Sequence, residues 1–268
     1  MRGSSPTMFS SNAFDLDHTS FAVHDALSWA RRLRADLGAT PIFGEVLTEF
    51  RYLLLYIGNA DAGARLELME PCERGFLDRY LAKHGEGPHH LTFTVPDLAR
   101  AVADVKSLGL TVVGESYEHP QWREAFIVPD AYHRVVVQLA QSDRIYPAPA
   151  ELIRTQVRDP ARFPSSPGAT DPEWWTSLWQ TPVGSNARLG TTHLGSADLA
   201  FSRRFFEDAL RARTEKGPGY LEFFWPSGSV RVHVSDRPGV TGMLLHDSVR
   251  GAMRIGSATL GPAGTRSR

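Results

Sequence analysis

The segment HHLTFTV, residues 89–95, alternates strictly: Leu91, Phe93 and Val95 fall on one side, and His90, Thr92 and Thr94 on the other. That is the period-two pattern of a half-buried strand. Behind it Leu98, Val102, Val105 and Leu108 recur at helical spacing, with Asp97 at the helix start and Gly109 just past its end, where a capping carboxylate and a left-handed glycine belong. The same order begins at His18: a strand, Asp25 seven positions after the histidine as Asp97 is seven after His90, then an amphipathic helix. Strand-like stretches follow in both copies, at 51–58 and 64–70 in the first and at 123–128 and 134–140 in the second. The pattern predicts a βαβββ unit occurring twice in residues 15–140, with a helix around ERGFLDRYLAKHG joining the copies.

A third copy begins near Thr191, where TTHLGSADLAFSRRFFEDAL sets Asp198 seven positions on and a Pro-Ser-Gly turn splits GYLEFFWPSGSVRVHVSD into a hairpin. Beyond it only GMLLHDSV hints at a fourth unit, which stops early. The expected organisation is a disordered N-terminus over 1–14, a paired-module domain over 15–145, and a Pro/Trp-rich linker over 146–188. A degenerate C-terminal βαβββ unit over 189–260 and a disordered tail over 261–268 complete it. Trp174, Trp175 and Trp179 of the linker are read as side chains that dock on a domain. The fold class is α+β, with paired βαβββ modules plus the degenerate unit.

Charge narrows the function. Residues are 42% hydrophobic and 22% charged with a net charge of −1, which gives no electrostatic basis for a nucleic-acid or membrane partner. Cys72 is the single cysteine, so neither an internal disulfide nor a thiolate metal cluster is available. MRGSSPTMFSSNAF has no apolar run of the kind an export signal needs, and a cytoplasmic location is expected.

Chemistry enters through the repeat. In ARLELME, Glu67 alternates with Leu66 and Leu68; in RVVVQLA, Gln138 alternates with Val137 and Leu139. The two copies thus deliver equivalent pairs, His18 with Glu67 and His90 with Gln138. Related by a pseudo-twofold axis, they bring two imidazoles, one carboxylate and one amide oxygen into one concavity, a donor set suited to a divalent cation. In the C-terminal unit the first position is Thr191, His233 stands for Glu67, and the His90 equivalent falls near Gly242. That unit is expected to be metal-free, and either to cover the N-terminal cavity or to pair with a second subunit in a homodimer.

The stretches LDHTSFAV, LELMEP and GEGPHHLTFTVPDL resemble the vicinal-oxygen-chelate (glyoxalase, bleomycin-resistance, dioxygenase) superfamily, and within it are most similar to methylmalonyl-CoA epimerases. The resemblance covers nearly all of the N-terminal half. It implies that the paired modules form a U-shaped mixed sheet around one divalent ion (Co, Ni, Zn, Mn or Fe) held by His18, Glu67, His90 and Gln138, with His89 a structural neighbour. The epimerases carry a catalytic glutamate within the stretch corresponding to RYLLLYIG, where this chain has Leu53. By the repeat, the equivalent in the second unit is Glu124, which, with Glu67 beside it, is the expected catalytic carboxylate. Leu53, Leu55, Phe126 and Val128 are expected to line the substrate pocket.

These readings imply a metal-dependent isomerase or lyase acting on a small carbonyl substrate. An Fe(II)-dependent extradiol-type dioxygenase is the alternative from the two-histidine, one-carboxylate set, and a non-catalytic small-molecule binding or resistance protein is a third. From sequence alone, His90→Ala should remove most of the metal affinity and His89→Ala should leave it nearly intact, as read by metal content after dialysis.

Overall fold

The computed structural model describes residues 13–143, 173–248 and 251–262; the expectations for the first dozen residues, most of the linker and the last six residues fall outside these. Strands β1 (Asp15–Ala22), β2 (Thr40–Val46), β3 (Phe50–Gly58) and β4 (Gly63–Pro71), with helix α1 (Ala26–Leu37), form the first unit. Strands β5 (Gly87–Thr94), β6 (Val112–Ser116), β7 (Arg123–Ile127) and β8 (Val136–Gln141), with α3 (Leu98–Ser107), form the second, and α2 (Phe76–His84) joins them. All eight strands make one mixed sheet in the order β2-β3-β4-β1-β5-β8-β7-β6. The two units therefore meet at the antiparallel pair β1–β5, and each sends its last strand back parallel to its first.

The aspartates that mark the repeat do the same local work three times. Asp25 Oδ1 accepts from Ser28 N at 2.7 Å and Asp97 Oδ1 from Arg100 N at 3.0 Å. Asp198 Oδ1 accepts from Ala200 N at 2.7 Å and opens a third helix, α5 (Leu199–Arg203), which continues as a π-helical turn over Arg204–Ala209. Each carboxylate satisfies an amide that the helix itself leaves without a partner. Gly109, at φ +81°, ends α3 in the left-handed conformation that its lack of a Cβ permits.

The second sheet has seven strands in the order β10-β11-β12-β9-β13-β15-β14. β9 (Arg188–Ser196), β10 (Arg213–Gly217), β11 (Tyr220–Phe224) and β12 (Ser229–Val234) complete the third βαβββ unit with α5. The fourth unit goes further than its sequence suggested. After β13 (Gly239–His246), a hairpin of β14 (Met253–Ile255) and β15 (Ala258–Gly261) returns to lie parallel to β13. Three-residue and four-residue strands are too short to register as alternation, which is why the pattern missed them.

The two sheets pack through the faces that bear the helices. Leu91, Phe93, the apolar stripe of α3 and Val137 share one cluster with Phe201, Phe205, Phe206, Phe223 and Trp225. Phe21, Leu53, Leu55, Leu66, Leu68 and the α1 stripe share another with Met243, Leu245 and Leu260. Trp175 and Leu178, on the short helix α4 (Glu173–Thr176) and the 3-10 turn after it, complete this second cluster. Arg51 and Arg34 lie over Trp174 and Trp179 at 4.6 and 5.4 Å. Thr19 and Thr192 hydrogen-bond at 2.9 Å where β1 and β9 cross. His18 and His193, one position away on their strands, therefore point outward from opposite sides of the molecule. The expectation that the C-terminal unit covers the N-terminal cavity is corrected: it packs on the reverse of that sheet, where Phe93 and Phe21 belong to the apolar clusters the two sheets share.

Asp130, His133 and Ser202 make a buried row resembling a hydrolytic triad. Asp130 Oδ2 is 3.3 Å from His133 Nδ1 and Ser202 Oγ is 2.9 Å from Nε2. His133 is packed by Phe201, Phe205 and Phe206 and is 1% exposed, and Ser202 is not exposed at all. No substrate reaches it, and the row serves as a polar strut between the sheets. Because the apolar clusters straddle both sheets, unfolding should be one cooperative event. Phe206→Ala should cost about 3–5 kcal/mol and shift a single urea transition, followed by tryptophan fluorescence and circular dichroism together. Two separated transitions would show that the sheets fold independently.

Candidate metal centre

Pairing register decides which side chains share the face opposite the helices. His18 and Ser20 lie two apart on β1; Ser20 is opposite Glu67 on β4 and opposite His90 on β5. Thr92, two after His90, is opposite Gln138 on β8. The four central strands β4-β1-β5-β8 thus carry Glu67, His18 with Ser20, His90 with Thr92, and Gln138 onto one surface, and all six are buried.

His18, Glu67 and His90 are the one group of three metal-type side chains found among the described residues, with donor atoms all within 4.8 Å of one another. Glu67 Oε2 lies 3.6 Å from His18 Nε2 and 3.7 Å from His90 Nε2. Such separations suit donors that share one ion at about 2.0–2.2 Å from each. His18 Nε2 is buried and meets no hydrogen-bond partner among the described residues, as expected of a nitrogen whose partner is a cation. Two imidazoles and a carboxylate, borderline donors with one negative charge, fit a first-row divalent ion.

Gln138 stands beside this group with both ends engaged. Its Oε1 accepts from Thr92 Oγ1 at 2.7 Å and its Nε2 donates to Glu124 Oε2 at 2.7 Å. The orientation follows from chemistry, since only the NH2 group can donate to a carboxylate. His89 is closer to the centre than its sequence reading allowed. Its Nδ1 is 2.9 Å from His90 Nδ1: the β1–β5 register skips His89 between the Phe21–Pro88 and Ser20–His90 pairs, and this irregularity turns it against the ligand histidine rather than away from it.

Two pocket expectations shift by one residue. Leu53 and Leu55 pair with Leu68 and Leu66 and lie in the α1 core, on the face away from the ligands. Leu54 is the residue opposite Glu67, and Tyr52, opposite Met69, shares that face. Three consecutive leucines carry no alternation, so the parity of β3 was not readable there. Glu124, opposite Ala140, consequently has Tyr52 and not Leu53 as its repeat counterpart. Tyr52 Oη donates to Glu45 Oε2 at 2.8 Å, and Glu45, on β2, is completely buried on this same face. No sequence signal singled out either residue. Phe126, opposite Gln138, is on the ligand face as expected; Val128 follows two residues on, past the end of β7.

Burial and charge set the protonation of the centre. Burial opposes the charge on Glu67, but His18, His90 and the Ser20 hydroxyl at 2.6 Å outweigh it and bring the carboxyl down to about 2. Burial likewise opposes a charged His18, yet Glu67 and Asp17 on either side raise it to about 9. Asp17 accepts from His18 Nδ1 at 2.7 Å and from Arg65 at 2.7 Å, and against its burial Arg65 and His18 hold it at about 2. His90 is lowered to about 3 and His89 to about 4, chiefly by burial. Glu124 is raised, chiefly by burial and despite its bonds from Gln138 and Trp122.

The C-terminal sheet shows what happens without the ligand set. His193 and Arg231 are paired as Ser20 and Glu67 are, so Arg231, and not His233, stands at the Glu67 position. It donates to Glu222 Oε2 at 3.0 and 2.7 Å, and Thr191 donates to Glu222 Oε1 at 2.9 Å. An internal cation thus stands where the N-terminal sheet gathers its donors. Gly242 is opposite His193 as His90 is opposite Ser20, and a Cβ there would lie 2.0 Å from the Thr259 carbonyl oxygen.

In the metal-free chain His18 carries a proton between two carboxylates, and a cation must displace it. Since its pKa is raised to about 9, affinity for Ni(II) or Mn(II) should rise by about tenfold per pH unit between about pH 6.5 and 8.5 and level off above about 9. Competition with a chelator measures this; a flat profile would remove His18 from the ligand set.

Residues 17–126 match the family described as the Glyoxalase/Bleomycin resistance protein/Dioxygenase superfamily. No curated protein matches the chain. Among solved structures, a variant of methylmalonyl-CoA epimerase from Streptomyces coelicolor, in complex with 2-nitronate-propionyl-CoA, is 28% identical, covering 48% of this chain and 98% of its own, with a TM-score of 0.43. A variant of 4-hydroxymandelate synthase from Streptomyces coelicolor is 13% identical over 87% of this chain and 71% of its own, with a TM-score of 0.56. A hypothetical protein from Staphylococcus aureus is 11% identical over 92% of this chain and 97% of its own, with a TM-score of 0.58. The last two likenesses are of fold and extend over both sheets. The matched residues take in His18, Glu67 and His90, so the part of the chain that carries this centre is similar to the glyoxalase/bleomycin resistance protein/dioxygenase superfamily.

Proposed function

We propose that the chain is a divalent-metal-dependent isomerase or lyase that takes a small carbonyl compound, a thioester or a ketone, through loss and return of a proton beside the carbonyl. The observation that carries this reading is Glu124, a half-buried carboxylate on the ligand face, bonded to Gln138 and with its pKa raised. What a divalent cation supplies when held by His18, Glu67 and His90, with Gln138 as a candidate fourth ligand, is Lewis acidity toward a substrate oxygen. The protein's own part is proton movement and positioning. Gln138 and Trp122 both donate to Glu124 Oε2, which fixes the carboxylate and leaves Oε1 as the oxygen to take a proton and give it back. A raised pKa brings the acid and base forms of Glu124 nearer to equal population at neutral pH, which favours this exchange. Glu67, held ionised, is better suited to ligation than to proton transfer. Leu54 and Phe126, opposite Glu67 and Gln138, supply apolar surface beside the polar centre.

One observation favours a second reading. With the Gln138 oxygen engaged by Thr92, the remaining donors are two histidines and one carboxylate, a composition suited to Fe(II) and oxygen chemistry. The test loads the full-length protein separately with Mn(II), Co(II), Ni(II), Zn(II) and Fe(II). It follows deuterium uptake beside the carbonyl of a panel of thioesters and 2-oxo compounds in D2O, with oxygen consumption in parallel. Glu124→Gln should keep its metal and lose about 100-fold or more of the exchange rate. Unchanged exchange would dismiss Glu124 as the base, and oxygen uptake with Fe(II) without exchange would select the second reading.

A further inference from the structure

In each half of the sheet, the residue immediately before the ligand histidine holds that ring's other nitrogen. Asp17 Oδ1 is 2.7 Å from His18 Nδ1, and His89 Nδ1 is 2.9 Å from His90 Nδ1. The two partners differ in kind. Asp17, itself held by Arg65, can only accept, so His18 keeps its hydrogen on Nδ1 and presents Nε2 to the centre. His89 can either donate or accept.

The direction of its bond in the metal-free chain follows from Ser20. A hydroxyl has one hydrogen, and that of Ser20 goes to Glu67 Oε2 at 2.6 Å. Toward His90 Nε2, 3.0 Å away, the Ser20 oxygen is therefore an acceptor, and His90 carries its hydrogen on Nε2. His90 Nδ1 then has the lone pair and receives the hydrogen of His89 Nδ1. Ligation through His90 Nε2, the nitrogen that faces Glu67 and His18, requires the reverse arrangement: a lone pair on Nε2, a hydrogen on Nδ1, and an acceptor at His89.

We propose that His89 is the positioning residue of His90 and that their Nδ1–Nδ1 hydrogen bond reverses direction when a divalent cation is taken up, while His18 keeps one Nδ1–H throughout. The hydrogens balance: His90 loses one from Nε2 and gains one on Nδ1, and His89 loses one from Nδ1 and gains one on Nε2, so this pair stays neutral. The His89 ring is held for the task by Tyr80 and Phe76, at centroid distances of 4.7 and 5.8 Å, and the Tyr80 hydroxyl is anchored on the Pro88 carbonyl oxygen. The inference rests on the metal reading of the centre and is independent of the reaction.

Imidazole nitrogen shifts of the 15N-labelled full-length protein, without metal and with Zn(II), read the tautomers directly. His89 should change from an Nδ1–H to an Nε2–H ring on zinc uptake and His90 the opposite way. Two variants separate positioning from packing. His89→Phe keeps the ring contacts with Phe76 and Tyr80 but removes both ring nitrogens, and should weaken zinc binding by about 10- to 100-fold; the His89–His90 contact thereby replaces the expectation from sequence that loss of the His89 imidazole leaves metal affinity nearly intact. His89→Asn sets an amide near the lost Nδ1 and should restore most of that affinity. A His89 tautomer unchanged by zinc, or a His89→Phe protein that binds zinc as the wild type does, would overturn the inference alone. A wild-type chain that takes up no zinc or other divalent ion would overturn the metal reading and this inference with it.

Discussion

A carboxylate buried at the middle of a β-sheet has to be compensated, because the effective penalty for taking it out of water is several kcal/mol. Glu67 is that carboxylate, and the neighbouring strands are organised around it. β1 supplies Ser20 as a donor and His18 as a cation, and β5 supplies His90. None of these partners is close to Glu67 in sequence, so the charge is stable only when the parallel pair β1–β4 and the antiparallel pair β1–β5 form in the observed registers. A one-residue slip would turn the centre into the apolar core and the core toward water. The site and the fold therefore hold each other in place.

β1 has the most demanding position. Its two faces serve different purposes: His18 and Ser20 belong to the centre, while Thr19 and Phe21 belong to the junction with the second sheet. Asp15 accepts from Ser227 N in the hairpin turn of the second sheet, and Asp17 fixes the imidazole of His18. The C-terminal sheet thus buttresses the strand that carries the first ligand from behind, without reaching the ligand face. This geometry gives the second sheet a mechanical part in a site to which it contributes no donor.

Much of this was legible in the sequence, for identifiable reasons. The repeat was visible because a capping aspartate follows each first-strand position at a constant distance, and capping depends only on local geometry. Glu67 and Gln138 were visible because they interrupt apolar alternation. Leu53 was misplaced because Leu53, Leu54 and Leu55 give period-two reasoning nothing to count. Asp17 and Glu45 escaped because an acidic residue in a strand reads as solvated until the strands on either side of it are known. His89 was set aside by the alternation rule, which describes regular strand; the β1–β5 register breaks at His89, between the Phe21–Pro88 and Ser20–His90 pairs, and lets two adjacent imidazoles meet. His233 was preferred to Arg231 because residue type was weighed above register.

Gly242 gives the divergence of the two sheets a direction. At the His90 position of the second sheet, the backbones of β13 and β15 have closed until a Cβ would lie 2.0 Å from the Thr259 carbonyl oxygen. No histidine can be placed there while those strands stay together, and separating them would open the parallel pairing that holds the short β14–β15 hairpin to the sheet. Point mutation can still remove donors from the N-terminal sheet one at a time. It cannot rebuild the missing ones opposite, so the asymmetry of this molecule works as a ratchet: further substitutions can deepen the specialisation of the two sheets, and no single one reverses it.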